Sequence, residues 1–141
     1  QDYYKAAQLW QKACNDRYSM SCYNLGISYN NGQGVKQDYY RAADLYKQAC
    51  DDGVNDSCSN LGILYENGQG VEQDYSKSLE LYEKACNNGY NRGCFNLGAF
   101  YLKGKGAKQD YHIAKEYFYK ACELGLQPGC DVYKKLNEKG L

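Results

Sequence analysis

The sequence predicts an all-α fold: an α/α-hairpin superhelical solenoid of about four 36-residue repeats, each carrying one pair of cysteines. Three observations predict it. Gln-Asp-Tyr begins at 1, 37, 73 and 109, Ala-Cys begins at 13, 49, 85 and 121, and a second cysteine stands at 22, 58, 94 and 130. Between these landmarks the apolar residues recur at helical spacing, and a Gly-x-Gly turn follows each of the first three blocks. Self-similarity at this period marks units that cannot bury their apolar faces alone and must stack. Residues 1–141 therefore read as one domain built of four units, with function expected on a surface rather than in a single catalytic pocket.

Each unit opens with a long helix. Asp38 is a good N-cap, and after it Tyr39, Ala42, Ala43, Tyr46, Ala49 and Cys50 fall on one helical face. The equivalent positions are Tyr3, Ala6, Ala7, Trp10, Ala13 and Cys14 in the first unit, and Tyr75, Ser78, Leu79, Tyr82, Ala85 and Cys86 in the third. In the fourth they are Tyr111, Ala114, Lys115, Phe118, Ala121 and Cys122. A large aromatic among small residues suits close helix packing. Lys12, Lys84 and Lys120 complement the dipole in the last turn, and Gly53, Gly89 and Gly125 read as left-handed C-caps. Arg17 occupies that glycine slot in the first unit.

A second, shorter helix is expected from the second cysteine to the Gly-x-Gly turn: Cys22 to Asn31, Cys58 to Asn67, Cys94 to Lys103 and, with Pro128 just ahead, Cys130 to Lys139. Cys22, Leu25, Gly26 and Tyr29 cluster on the side facing a long helix, as do Cys58, Leu61, Gly62 and Tyr65. Glycine inside a helix costs about 1 kcal/mol against alanine, so Gly26, Gly62 and Gly98 are expected where two helices meet backbone to backbone. Tyr133, Lys134 and Asn137 in the last short helix give it a polar closing face, so 130–139 reads as a cap.

Eight cysteines, all in the same phase, form four Cys-x7-Cys pairs. Zinc sites and redox pairs favour Cys-x2-Cys spacings, so a structural disulfide framework fits better, and no metal or other cofactor is expected. Connectivity cannot be deduced from eight cysteines in general, but the repeat makes one scheme economical: Cys14 with Cys22, Cys50 with Cys58, Cys86 with Cys94, and Cys122 with Cys130. In the chain-entropy model each such short loop contributes about 2.5 kcal/mol. The framework implies an oxidising compartment, secreted or periplasmic, with any export signal lying outside this chain.

Lys plus Arg and Asp plus Glu number 17 each, so no net field gathers nucleic acid. No run approaches the roughly 18 apolar residues of a membrane helix, and membrane insertion is not expected.

The run Leu61, Gly62, Tyr65, Gly68, Gly70 and Val71, followed by Asp74 and the Ala-Cys of the next long helix, resembles a Sel1-like repeat, a TPR-like helical hairpin. With Cys-x7-Cys added to every unit, practically the whole chain resembles the Helicobacter cysteine-rich proteins, a branch of that family. The resemblance implies a right-handed superhelix of α/α hairpins with one disulfide per unit, and export from the cell. It also implies two competing functions: protein–protein adaptor, as in most Sel1-like proteins, or penicillin-binding protein with weak β-lactamase activity.

The residues favour the adaptor. A serine β-lactamase shows Ser-x-x-Lys on a helix, and no serine here has lysine three residues on. His112 stands alone near the start of a first helical turn and reads as a solvated residue. No catalytic residue is assigned.

Opposite the buried side of the short helices lie Asn24, Ile27, Ser28 and Asn31, then Asn60, Ile63, Leu64 and Asn67, then Asn96, Ala99, Phe100 and Lys103. From these the expected binding groove takes Asn24, Ser28, Asn60, Ile63, Leu64, Asn96, Phe100 and Lys103. Its asparagine amides can both donate to and accept from the backbone of a protein or extended peptide, and its apolar members can anchor it. A β-lactam or a peptidoglycan fragment is the alternative ligand. Among the 17 tyrosines, those at 3, 39, 75 and 111 read as seam-fillers, while Tyr23 and Phe95 are expected to be exposed contact residues.

Overall fold

The computed structural model describes residues 2–141; Gln1, which opens the first Gln-Asp-Tyr triplet, lies outside the described residues. Eight α-helices follow one another among the described residues, with no strand: α1 (Tyr3–Asn15), α2 (Ser19–Asn31), α3 (Tyr39–Asp51), α4 (Asn55–Asn67), α5 (Tyr75–Asn87), α6 (Asn91–Lys103), α7 (Tyr111–Glu123) and α8 (Gln127–Glu138). They form two compact units, 1–74 with α1 to α4 and 75–141 with α5 to α8, divided at the start of the third repeat. No helix among the described residues is long and apolar enough to cross a membrane.

The odd-numbered helices start where the sequence places them. Asp2, Asp38 and Asp110 adopt extended backbone, and their carboxylates accept the N–H of Lys5, of Tyr40 and Arg41, and of Ile113. Each satisfies donors that the first helical turn cannot pair internally.

The even-numbered helices correct an expectation. They are not short: α2, α4 and α6 have 13 residues like the odd-numbered helices, and α8 has 12, because each begins three residues before its cysteine. Their N-caps, Tyr18, Val54, Tyr90 and Leu126, make no side-chain cap, so no polar cap residue announces them. The preceding helix fixes the turn instead. The Arg17 N–H donates to Cys14 O and the Tyr18 N–H to Ala13 O, a 5→2 and 6→1 pair that recurs at Gly53 and Val54, Gly89 and Tyr90, and Gly125 and Leu126. This closure demands a left-handed residue, and Arg17 adopts φ 68°, alone among the non-glycine residues described.

The four bridges join Cys14 to Cys22, Cys50 to Cys58, Cys86 to Cys94 and Cys122 to Cys130, and no cysteine is free. Their Cα–Cα separations of 4.6 to 4.7 Å staple the end of each odd-numbered helix to the first turn of the next. The bridge in α1–α2 packs with Ala49 of α3, and that in α5–α6 with Ala121 of α7.

The mid-helix glycines correct a second expectation. Gly26 and Gly98 do not bring backbones together; they receive a ring. A Cβ at Gly26 would lie 2.7 Å from the Tyr46 ring, and one at Gly98 2.9 Å from Phe118. The backbone approach occurs one turn earlier, at Gly93 and Gly129. A Cβ on Gly93 would stand 2.9 Å from Cys86 N and 3.1 Å from Tyr82 O. In the second repeat the same slot holds Ser57, whose hydroxyl donates to Tyr46 O at 2.8 Å.

Tyr23 and Phe95 are also corrected, since both are half-buried against core rings. Tyr23 lies 6.1 Å from Tyr46, and Phe95 stands edge-on at 5.2 Å to Phe118. In α8, Leu136 is buried while Val132 and Tyr133 pack beside it, and the remainder of the helix is largely polar and exposed.

Candidate binding cleft

In the first unit, α2, α3 and α4 surround an open cleft of about 250 Å³. Ile27, Asn30 and Asn31 come from α2, Tyr39 and Tyr46 from α3, Asn60, Ile63 and Leu64 from α4, and Gln69 from the turn after α4. The i, i+3, i+4 spacing of Asn60, Ile63 and Leu64 puts all three on one helical face. Gln69 is held by the left-handed cap at Gly68, whose closing turn also pairs Gln69 N–H with Leu64 O at 3.0 Å.

No Asp, Glu, Lys, Arg or His lines this cleft. At its base the Tyr46 phenol is held far above the ordinary tyrosine range, first by burial, with the Asn60 side-chain hydrogen bond opposing that rise and Tyr23 adding to it. Tyr46 is therefore a neutral hydroxyl at any physiological pH. Its bond to Asn60 orients the amide, and a preorganised amide loses less freedom when a ligand arrives. Chemically the cleft offers three asparagine amides, one glutamine amide and apolar patches from Ile27, Ile63 and Leu64, a set that can hydrogen-bond a neutral polar group while burying a side chain.

Of the groove residues expected from sequence, the structure brings Asn60, Ile63 and Leu64 together here. Ile63 is 40% exposed, whereas Leu64 is 2% exposed and forms part of the base. Asn24 is half-buried on α2, its carbonyl accepting the Ser28 hydroxyl at 3.3 Å, and Ser28 is itself buried; neither lines the cleft. In the second unit Asn96 is half-buried and already engaged, and Lys103 is exposed at the end of α6. Phe100 is 2% exposed, edge-on to Tyr75 at 6.0 Å and to Tyr82 at 5.3 Å, so it is a core residue there rather than an accessible anchor.

Tyr46 and Gln69 escaped the sequence reading for identifiable reasons. Tyr46 occupies the aromatic slot of the helix core, and the pattern marks its ring without marking its hydroxyl. Gln69 sits between two turn glycines that read as connection alone.

A smaller recess of about 170 Å³ lies in the first repeat between α1, α2 and the following turn, where Gln8 Nε2 donates to Tyr4 Oη at 3.1 Å. No three His, Cys, Asp or Glu side chains converge to hold a metal among the described residues. His112 is exposed, with Nε2 3.2 Å from Glu116 Oε1.

Bridged α/α hairpins with a left-handed residue closing each helix, and an amide-lined cleft on the paired helices, define a disulfide-braced helical-repeat protein. The Sel1 repeat matches residues 1–17, 19–54, 55–90 and 91–126, and the chain belongs to the Sel1 repeat family. Such proteins generally serve as protein-interaction scaffolds. The matched repeat starts with an even-numbered helix and ends with the next odd-numbered one, so it spans the Gly-x-Gly turn instead of the bridge.

Among solved structures, a protective antigen of uropathogenic Escherichia coli with an SLR fold has 34% identity and a TM-score of 0.89 over 94% of this chain. A Sel1 repeat protein from Oxalobacter formigenes has 26% identity and a TM-score of 0.90 over 95%. Helicobacter pylori cysteine rich protein B has 31% identity and a TM-score of 0.73 over 93%. The chain covers 28%, 55% and 94% of these three respectively. HcpE of H. pylori, named as a candidate β-lactamase, is 54% identical over 35 residues, which is 25% of this chain and 10% of that protein.

Proposed function

We propose that this chain is an exported interaction module whose first unit takes an extended segment of a partner protein. The observation that carries the reading is the uncharged, amide-lined cleft with Asn60 oriented by the buried Tyr46 hydroxyl. A peptide backbone presents alternating donors and acceptors, and asparagine and glutamine amides match both. Exposed Ile63 supplies the apolar contact that binding energy concentrates on. Export rests on the four bridges, which persist in oxidising compartments.

The test is selection of peptides from a displayed library on the oxidised chain, followed by calorimetric titration of the selected peptides. Asn60→Ala is expected to weaken them by about tenfold and Ile63→Asp by more, with helical content and melting preserved. Selected peptides that bind both variants like the parent protein would place the docking point elsewhere.

The HcpE match favours one second reading, β-lactam turnover. A chromogenic cephalosporin decides it: hydrolysis that disappears when the same sample is reduced and unfolded would move the enzyme reading ahead. Turnover at the level of the unfolded control removes it.

A further inference from the structure

The repeat frame allows each surface slot to be compared with its counterparts. In the first unit, Tyr29 of α2 carries a cation from its own chain: the Arg41 guanidinium lies 4.6 Å from the ring centroid. The same slots one and two repeats later hold Tyr65 with Lys77, and Tyr101 with Ile113. The ring persists in the second unit, but the residue in the cation's place is aliphatic.

Two further slots change with it. Leu45 becomes Tyr117, and Tyr117 stacks on Tyr101 at 5.8 Å with the rings 14° apart. Glu83 of α5 stands where α1 has Gln11, so a neutral slot has turned negative. Burial, and after it Tyr101, Glu83 and Glu116, push the Tyr117 phenol above its ordinary value, so both carboxylates act on the Tyr117 hydroxyl. Glu116 is exposed and Glu83 half-buried. Aromatic faces beside carboxylates attract cations, and arginine above all, because a flat guanidinium both stacks on a ring and pairs with a carboxylate.

We infer that the stacked Tyr101–Tyr117 pair, flanked by Glu83 and Glu116, receives an arginine side chain of a partner protein in the place that Arg41 fills over Tyr29. The second unit thus adds a charge-selective contact to the interaction reading above, on residues separate from the neutral cleft of the first.

The test uses the intact oxidised chain with carbon-13-labelled tyrosine rings, at about pH 8 and low salt, where exposed charges are least screened. The probe is an acetylated, amidated hexapeptide alternating arginine and glycine; its control has glutamine for arginine. The arginine peptide is expected to move the Tyr101 and Tyr117 ring signals, and the glutamine peptide to leave them in place. Glu83→Gln combined with Glu116→Gln should weaken the arginine peptide by about fivefold. Ile113→Arg, which restores a cation to the chain itself as at Arg41, should weaken it comparably while the fold persists. Asn60→Ala should leave the ring shifts intact, so this site and the cleft of the first unit fail separately. Equal shifts from the glutamine peptide would overturn the assignment. So would unaltered binding by the double variant, or ring shifts given only by a chitin oligosaccharide and insensitive to salt.

Discussion

The pair α2–α3 in the first unit and the pair α6–α7 in the second are built on one frame and finished differently. In both, a mid-helix glycine seats a ring from the following odd-numbered helix: Gly26 takes Tyr46, and Gly98 takes Phe118. In both, a tyrosine one turn further on shows a face at the surface, but only Tyr29 is covered by a cation of its own chain. The interior slots are constrained because a ring against a glycine leaves no space for variation. The surface slots carry no such penalty, so they can drift apart and acquire binding chemistry.

The largest way to break this likeness is to remove the ring. Phe118→Ala is expected to cost about 3–5 kcal/mol in urea unfolding, the range for deleting a fully buried aromatic. Trp10→Ala, the same slot in α1 but half-exposed, should cost less than half as much. Equal losses would mean that the slot is uniform along the chain.

The bridges sharpen the comparison next. Six of the eight cysteines are buried, but Cys122 and Cys130 are half-exposed. Replacing Cys86 and Cys94 by serine should cost about 2.5 kcal/mol or more, and replacing Cys122 and Cys130 less, because the chain-entropy gain is shared but the lost packing is not. Under a limiting dithiol, Cys122 and Cys130 should be alkylated first by mass spectrometry. Simultaneous labelling of all pairs would contradict this order.

The smallest expected effect separates Ser57 from Gly93. Gly93→Val forces a branched side chain against the α5 backbone and should cost about 1–3 kcal/mol. Gly93→Ser should cost less, since Ser57 fits the same slot by donating to Tyr46 O. Thermal melting of the two variants measures the difference, and a serine variant as unstable as the valine one would show that α5–α6 is packed more closely than α3–α4.

Much of this architecture was legible beforehand. The aspartate caps, the aromatic slot and the cysteine phase are local signals repeated four times, and repetition removes the ambiguity of a single occurrence. The starts of α2, α4, α6 and α8 were not legible, because their caps are apolar residues positioned by the preceding helix's closing turn. The candidate site was half legible: Asn60 and Ile63 follow from one helical face and line the cleft accessibly, whereas Leu64 and its counterpart Phe100 share that face and are buried. The same periodicity that locates a residue on a face does not state what covers that face.

The sequence by itself determined the helix count, the pairing frame of the cysteines and the left-handed positions, because these depend on residues within a few positions of one another. Only the tertiary structure decided which ring fills which glycine, that the Tyr46 hydroxyl reaches Asn60, and that Tyr101 and Tyr117 stack. Those contacts join side chains on different helices, across the turn between them. Their distances depend on how side chains of particular volume fill the space between helices, and periodicity carries no information about volume.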